Sequence, residues 1–254
     1  MTIRINDDRI GSGLAINIGK SYAGLNKTME KLTSGLRINR ASDDPAGLVI
    51  SENLRSKIGS LNQEIENTTL AIRKYETADA NIGELRSNLN ELRAQAVGAA
   101  NSGFNSQAMD DAYQATADNM TSTYNHIVDT ASFNGSKIFG AGENSMADVS
   151  KLENIDFSTP EKVQQSIGQI DKALSELDAA QGQNGAHQKY GLEAHRSNLE
   201  VTVQNLQASE SMIRDTDYLA EISNLLRDKI TLKAGMALLA HSNVMSSSVL
   251  KLME

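Results

Sequence analysis

The chain has 254 residues, no cysteine or tryptophan, two prolines and only 4% aromatic residues. The missing thiols exclude a disulfide scaffold, a Cys-ligated zinc or iron–sulfur centre and a thiol nucleophile. Proline far below its usual share of about 5% favours long helices, and a net charge of −8 argues against nucleic acid as a partner. The polar start, MTIRINDDRIGSG, lacks the apolar stretch of a cleavable secretory signal, and no run of about 18 apolar residues is present to enter a membrane.

The first element announces itself by spacing. Apolar residues recur at Ala15, Ile18, Tyr22, Leu25, Met29, Leu32 and Leu36, with steps alternating between three and four. This heptad seam predicts a helix that buries one narrow stripe against another helix, ending at Gly35. A second helix starts cleanly, with Asp44 as N-cap and Pro45 at the first helical position. Its seam runs Ile58, Leu61, Ile65, Thr68, Ile72 and Tyr75, skips, and resumes through Ala78, Ile82, Leu85, Leu89, Leu92, Ala96 and Ala99. At 1.5 Å per residue this helix would be about 80 Å long, which predicts an elongated molecule.

NSGFNS, Asn101 to Ser106, breaks that helix, and Gln107 to about Thr130 reads as a third, moderately amphipathic one. Ser132 to Gly140, SFNGSKIFG, carries Asn134-Gly135 between apolar residues, which predicts a tight hairpin. Residues 131–159 therefore read as a small β region plus loop. Thr159-Pro160-Glu161 repeats the start logic of cap, proline and first-turn acid. The helix that follows uses Val163, Ile167, Ile170, Leu174 and Leu177, weakens at Gly182 to Gly185, and recovers from Leu192 to Ile213. After a break at Asp215 to Asp217, the last helix shows two apolar stripes, one through Tyr218, Ile222, Leu225, Leu232, Met236 and Leu239, the other through Leu219, Leu226, Ile230, Ala237 and Val244. A helix apolar on two faces predicts burial from several sides, and further copies of the chain would supply the neighbours.

Several segments resemble the bacterial flagellins. Leu32 to Gly47, LTSGLRINRASDDPAG, resembles their N-terminal signature, and Leu89 to Asn101, LNELRAQAVGAAN, their first rod segment. SFNGSKIFG is similar to the loop after their second rod helix, and IRDTDYLAEISNLLRDKITLKAGMALLAHSN, Ile213 to Asn243, resembles their C-terminal helix. The resemblance implies a mainly α fold, a long antiparallel helical rod or coiled-coil bundle with a small β-hairpin, whose terminal helices pair as the inner layer of a tubular filament. The implied organisation is an N-terminal inner helix and junction at 1–44, N-terminal rod helices at 45–130, a hairpin and loop at 131–159 in place of the variable outer domain, a C-terminal rod helix at 160–214, and a C-terminal inner helix at 215–254.

It further implies a structural subunit that polymerises for swimming motility, exported without a cleaved signal and lying in an extracellular or periplasmic filament. The assembly core would be Ile18, Tyr22, Leu25, Met29, Leu32 and Leu36 with Tyr218, Ile222, Leu225, Leu232, Met236 and Leu239. Arg37, Asn39, Arg40, Asp43 and Asp44 would make intersubunit polar contacts at the junction. Implied partners are further copies of the chain, the flagellar export apparatus, an export chaperone at the C-terminal helix, and the filament cap and junction proteins; Met236, Met245 and Met253, on one helical stripe, read first as packing residues, with a chaperone groove as the second use. Arg93 matches an arginine that the animal innate receptor for flagellin recognises. Ala94 and Gln95 depart from the Glu-Leu beside it, so Leu92 to Gln95 implies weak or no recognition.

Terminal seams without an intramolecular core to cover them predict poor order in the monomer and folding on assembly. The four histidines, His126, His187, His195 and His241, form no HExxH pair or other metal-ligand spacing, and no nucleophile elbow or phosphate loop is present. No enzyme, cofactor or metal is expected. The alternatives are a hook–filament junction protein, which shares an SDDPAG-like element and against which the C-terminal segment speaks, and a secreted helical adhesin or effector, which reversible growth into long filaments would exclude.

Overall fold

The computed structural model describes residues 9–101, 106–140 and 146–251, with side chains at 11–101, 106–140 and 146–245; the expectations for MTIRINDD and for Met253 lie outside them. The elements are α1 (Arg9–Ser34), α2 (Pro45–Ala99), α3 (Gln107–Thr130), β1 (Ser132–Phe133), β2 (Ser136–Lys137), α4 (Pro160–Ala186), a π-helical turn (His187–Glu193), α5 (Ala194–Arg214) and α6 (Tyr218–Lys251). The described residues are thus mainly α with one small antiparallel hairpin. Packing divides it into two units, 1–60 with 203–254, and 61–202, with boundaries that fall inside α2 and α5.

The local signals locate the ends well. Gly35 closes α1 in the left-handed region, φ +74°, its N–H bonding the Lys31 carbonyl at 2.8 Å. Asp44 Oδ1 accepts the Gly47 N–H at 2.9 Å ahead of Pro45, and Thr159 Oγ1 accepts that of Lys162 at 3.4 Å ahead of Pro160. Asp217 caps α6 by accepting the N–H groups of Leu219 and Ala220 at 2.9 and 3.1 Å. Asn134 and Gly135, φ +50° and +76°, form the two-residue turn that pairs Ser132 with Lys137 and Phe133 with Ser136.

Unit 61–202 holds one continuous core. Ala78, Ile82, Leu85, Leu89, Leu92 and Ala96 of α2 are fully buried, with Tyr124 and Ala117 of α3 and Ile170 and Leu177 of α4. Along α2 the seam positions from Leu61 to Ala99 are buried or partly so, as the spacing predicts. α2 and α4 run antiparallel: Asp79 bonds Gln181 at 2.7 Å, Arg86 pairs with Asp178, and Arg93 Nε meets Asp171 at 2.7 Å. The extended segment before α4 packs Leu152, Ile155 and Phe157 into this core, so its backbone needs partners. Two amides of α3 supply them. Asn125 bonds both the N–H and the carbonyl of Leu152, at 3.0 and 2.9 Å, while Gln114 accepts the Phe157 N–H at 2.6 Å and donates to the Ile155 carbonyl at 3.2 Å.

The weakening expected at Gly182 to Gly185 is a difference. The chain stays helical there, and the irregularity is the π-turn that begins at His187. Its cause is visible in the seam, where Asn184 and Leu199 are buried fifteen residues apart, one more than two heptads. A wider i→i+5 turn absorbs the surplus residue and returns Leu199 to the covered face. The His187 ring packs against Tyr75 with centroids 5.2 Å apart and lies over Gly191, where a Cβ would come 3.4 Å from Nδ1.

Candidate assembly interface

α1 and α6 pair antiparallel. Ile18 lies beside Gly235, where a Cβ would come within 3.0 Å of its Cγ1, and Gly24 lies as close to the Asp228 carboxylate. Lys31 Nζ is 3.5 Å from Glu221 Oε1, and the Tyr218 hydroxyl sits over Gly35. Partner numbers fall as α1 numbers rise, which fixes a single register. The facing stripe of α1 comprises Leu14, Ile18, Ser21, Leu25, Thr28 and Leu32; that of α6 comprises Glu221, Leu225, Asp228, Leu232, Gly235 and Leu239.

The structure therefore divides the residues expected to form the assembly core. Ile18, Leu25, Leu32, Leu225, Leu232 and Leu239 lie half-buried in the seam. Tyr22, Met29, Tyr218, Ile222 and Met236 are exposed, and Leu36 sits in the junction. One neighbour covers one stripe, so α6 also leaves Leu219, Leu226, Ile230, Leu238, Val244 and Met245 in solvent, with Leu219 80% and Ile230 68% exposed. Solvated surfaces contain single apolar residues routinely, but a helix that exposes them on two flanks presents a surface built for contact.

The junction between α1 and α2 is tied to the chain just before α6. Leu36 and Asp215 form an antiparallel bridge, with Arg37 N donating to the Arg214 carbonyl at 2.7 Å and Thr216 N to the Gly35 carbonyl at 2.9 Å. The Arg37 guanidinium grips the Ile213 carbonyl through Nε and Nη2, at 3.2 and 2.5 Å. Asp43 Oδ2 accepts the N–H groups of Asn39 and Arg40 at 3.3 and 3.2 Å, and its Oδ1 meets Lys27 Nζ at 2.9 Å. The Lys27 ammonium, followed by the Arg40 N–H, holds the Asp43 carboxyl below the usual range. Asn39 donates to Ser34 Oγ at 2.8 Å, Arg40 Nη2 lies 3.0 Å from Glu30, and buried Ile38 fills the turn beneath. Arg214 Nη1 meets Glu52 at 2.6 Å. Each of the five polar residues predicted here thus has a partner within the chain, and Arg40 keeps its side chain 70% exposed. The contributions of Glu221, Asp228, Thr216 and Asp217 carry no heptad signal and were not legible beforehand.

In the Leu92 to Gln95 segment, Leu92 is buried in the core, Arg93 is half-exposed and paired with Asp171, and Ala94 is exposed. His195 Nε2 contacts Glu64 Oε1 at 3.1 Å. Among the described residues no group of three His, Asp or Glu side chains is arranged to hold a metal ion, and no helix is long and apolar enough to cross a membrane.

Comparison with known proteins gives the same answer at both ends of the chain. Residues 5–144 match the family model of the bacterial flagellin N-terminal helical region, and residues 167–253 that of the bacterial flagellin C-terminal helical region. The chain is 33% identical over 262 residues to a flagellin of Halalkalibacterium halodurans, covering 93% of this chain and 94% of that one. It is 30% identical over 273 residues to the flagellar filament 33 kDa core protein of Treponema phagedenis, with the same coverage, 93% and 94%. To a flagellin of Bacillus subtilis it is 28% identical over 304 residues, covering 99% of this chain and all of that one.

Proposed function

The chain belongs to the bacterial flagellin family, and from that premise we propose how this structural subunit of the flagellar filament assembles. The α1/α6 pair forms the inner layer, and the apolar flanks it leaves in solvent are covered by the same pair in neighbouring subunits. Because different surfaces meet, the contact is heterologous and its rotation does not close, which propagates a helical polymer. The observation that carries this reading is the exposed run Leu219, Ile222, Leu226, Ile230 and Met236 on α6.

The test is seeded growth of the purified chain carrying Ile222→Asp and Leu226→Asp, followed by electron microscopy. Both residues are exposed in the single chain, so its folded part survives, whereas a charge introduced into each copy's contact abolishes elongation. Elongation at the wild-type rate would overturn the reading. Wild-type chain that added to no seed would point instead to the junction protein or to a secreted adhesin or effector.

The same surface accounts for the remaining partners. An unassembled subunit has to keep this stripe covered, and Met236 and Met245 suit an export chaperone's groove because methionine adapts its shape to irregular apolar surfaces. Passage through the export apparatus precedes folding of the terminal pair, and cap and junction proteins meet these helices at the filament ends. Beyond its contact with Glu30, Arg40 extends into solvent and provides the intersubunit polar contact at the junction, with Arg37, Asn39, Asp43 and Asp44 shaping the turn that presents it. Recognition by the innate flagellin receptor is weak, since Arg93 is engaged by Asp171 and its neighbours are Ala94 and Gln95. The filament lies outside the cell; immunogold labelling of intact cells separates this from a periplasmic position. No catalytic role, cofactor or metal enters this reading.

A further inference from the structure

From Gly24 to Lys31 the α1/α6 seam repeats so regularly that this stretch does not define its own register. A slip of α6 by one heptad, so that each residue is replaced by the one seven further on, puts Asp228 where Glu221 stands opposite Lys31. Leu232 then replaces Leu225, Leu239 replaces Leu232, and Gly235 replaces Asp228 opposite Gly24. Carboxylate succeeds carboxylate, leucine succeeds leucine, and the close approach at Gly24 meets a glycine; opposite Ile18, Ser242 takes the place of Gly235, and its Cβ crowds Ile18 Cγ1. A slip the other way brings the break at Asp215 to Asp217 against the seam and has no such equivalence.

Apart from that crowding at Ile18, what distinguishes the two registers lies outside the seam. The bridge between Leu36 and Asp215, the N–H bonds of Arg37 and Thr216, the Arg37 grip on Ile213 and the Tyr218 hydroxyl over Gly35 all hold the start of α6 level with the end of α1. We propose that this junction ladder, with Arg37 as its side-chain clamp, is the register key of the terminal helix pair, and that without it the pair populates a second register one heptad away, with Lys31 paired to Asp228. Arg37 acts as a positioning residue, and the displacement between registers is about 10 Å along the pair.

The absence of cysteine makes the test direct, because two introduced thiols are the only sites for spin labels. Labels go on Lys20→Cys and Ala220→Cys, both exposed and offset along the pair by roughly 20 Å in the observed register. Distances are read by electron paramagnetic resonance in filaments where labelled chain is diluted with unlabelled chain. The inference rests on the filament reading, and polymerisation of the labelled wild type tests that reading separately.

Wild-type filaments give one distance. Arg37→Ala with Thr216→Pro, and independently Leu36→Gly with Arg37→Gly, add a second distance roughly 8 Å longer. Adding Asp228→Lys, which sets like charges opposite Lys31 in the slipped register only, removes the longer distance. A single wild-type distance in both junction variants would overturn the proposal, as would a longer distance that persists with Asp228→Lys. Failure of both variants to polymerise where the labelled wild type does would overturn it too, because the proposal requires the pair to survive without its key.

Discussion

Unit 61–202 and the α1/α6 pair draw on the same heptad vocabulary but complete it differently. In the first, α2 meets α3, α4 and an extended segment, and its leucines from Leu85 to Leu92 are fully covered. In the second, each helix has one described neighbour, and residues of the same chemistry, Ile222, Leu226 and Ile230, stand in water. The difference teaches that an apolar stripe states a demand for contact without saying whether the same chain meets it. Folding is finished in one region and deferred to assembly in the other.

Five substitutions break or sharpen that contrast. The largest effect on the single chain comes from Leu89→Ala, which opens a cavity in the finished core and lowers unfolding free energy by about 2–5 kcal/mol in denaturant titration. Ile230→Ala, by contrast, shifts the monomer by no more than about 0.5 kcal/mol yet raises the concentration needed for polymerisation. A comparable loss of monomer stability in the two would erase the distinction.

Gly47→Ala tests the junction, where a methyl would come within 3 Å of the Asp44 carboxylate and of Ile38 Cδ1. A cost of about 1–3 kcal/mol is expected, seen as a lowered midpoint for the unit that contains α1 and α6. Asp217→Ala removes the α6 cap and costs about 1 kcal/mol, measurable as extra hydrogen exchange at Leu219 and Ala220.

The smallest effect is a pH dependence confined to unit 61–202. Asp156 bonds Lys162 at 2.7 Å and the Ser158 N–H at 2.8 Å, and the Lys162 ammonium is the main cause of its depression to about 2. A carboxyl depressed on folding contributes stability above its unfolded value, near 4, and loses it as pH falls towards 2. Asp156→Asn flattens that acid limb slightly and leaves neutral pH nearly unchanged, since the group is largely solvated. An unaltered acid limb would assign the loss to other carboxylates.

Much of this fold was legible in the sequence because its signals are local. Asp44-Pro45, Thr159-Pro160 and Asn134-Gly135 act through backbone geometry within three residues, so no distant partner can overrule them. The terminal stripes were legible only in part. Heptad spacing names both flanks of a seam, but a single partner covers one, which is why Leu25 is half-buried while Tyr22 and Met29 are exposed. The junction ladder and the Lys31–Glu221 pair join residues about 180 apart in the chain, and nothing in either local pattern points to the other. The glycines at 182–185 suggest a weak point there, whereas the irregularity lies at 187–193 and its cause is the count of residues between Asn184 and Leu199.

That count has an evolutionary consequence. A helix with one residue more than its turns require contains a site where the chain can change length without being cut. Deleting a residue between His187 and Glu193 would return the segment to ordinary α-helical winding with Asn184 and Leu199 still on the covered face. Single-residue gaps between relatives of this chain should therefore collect in this turn, in the middle of a helix, where alignments of helical proteins ordinarily forbid them.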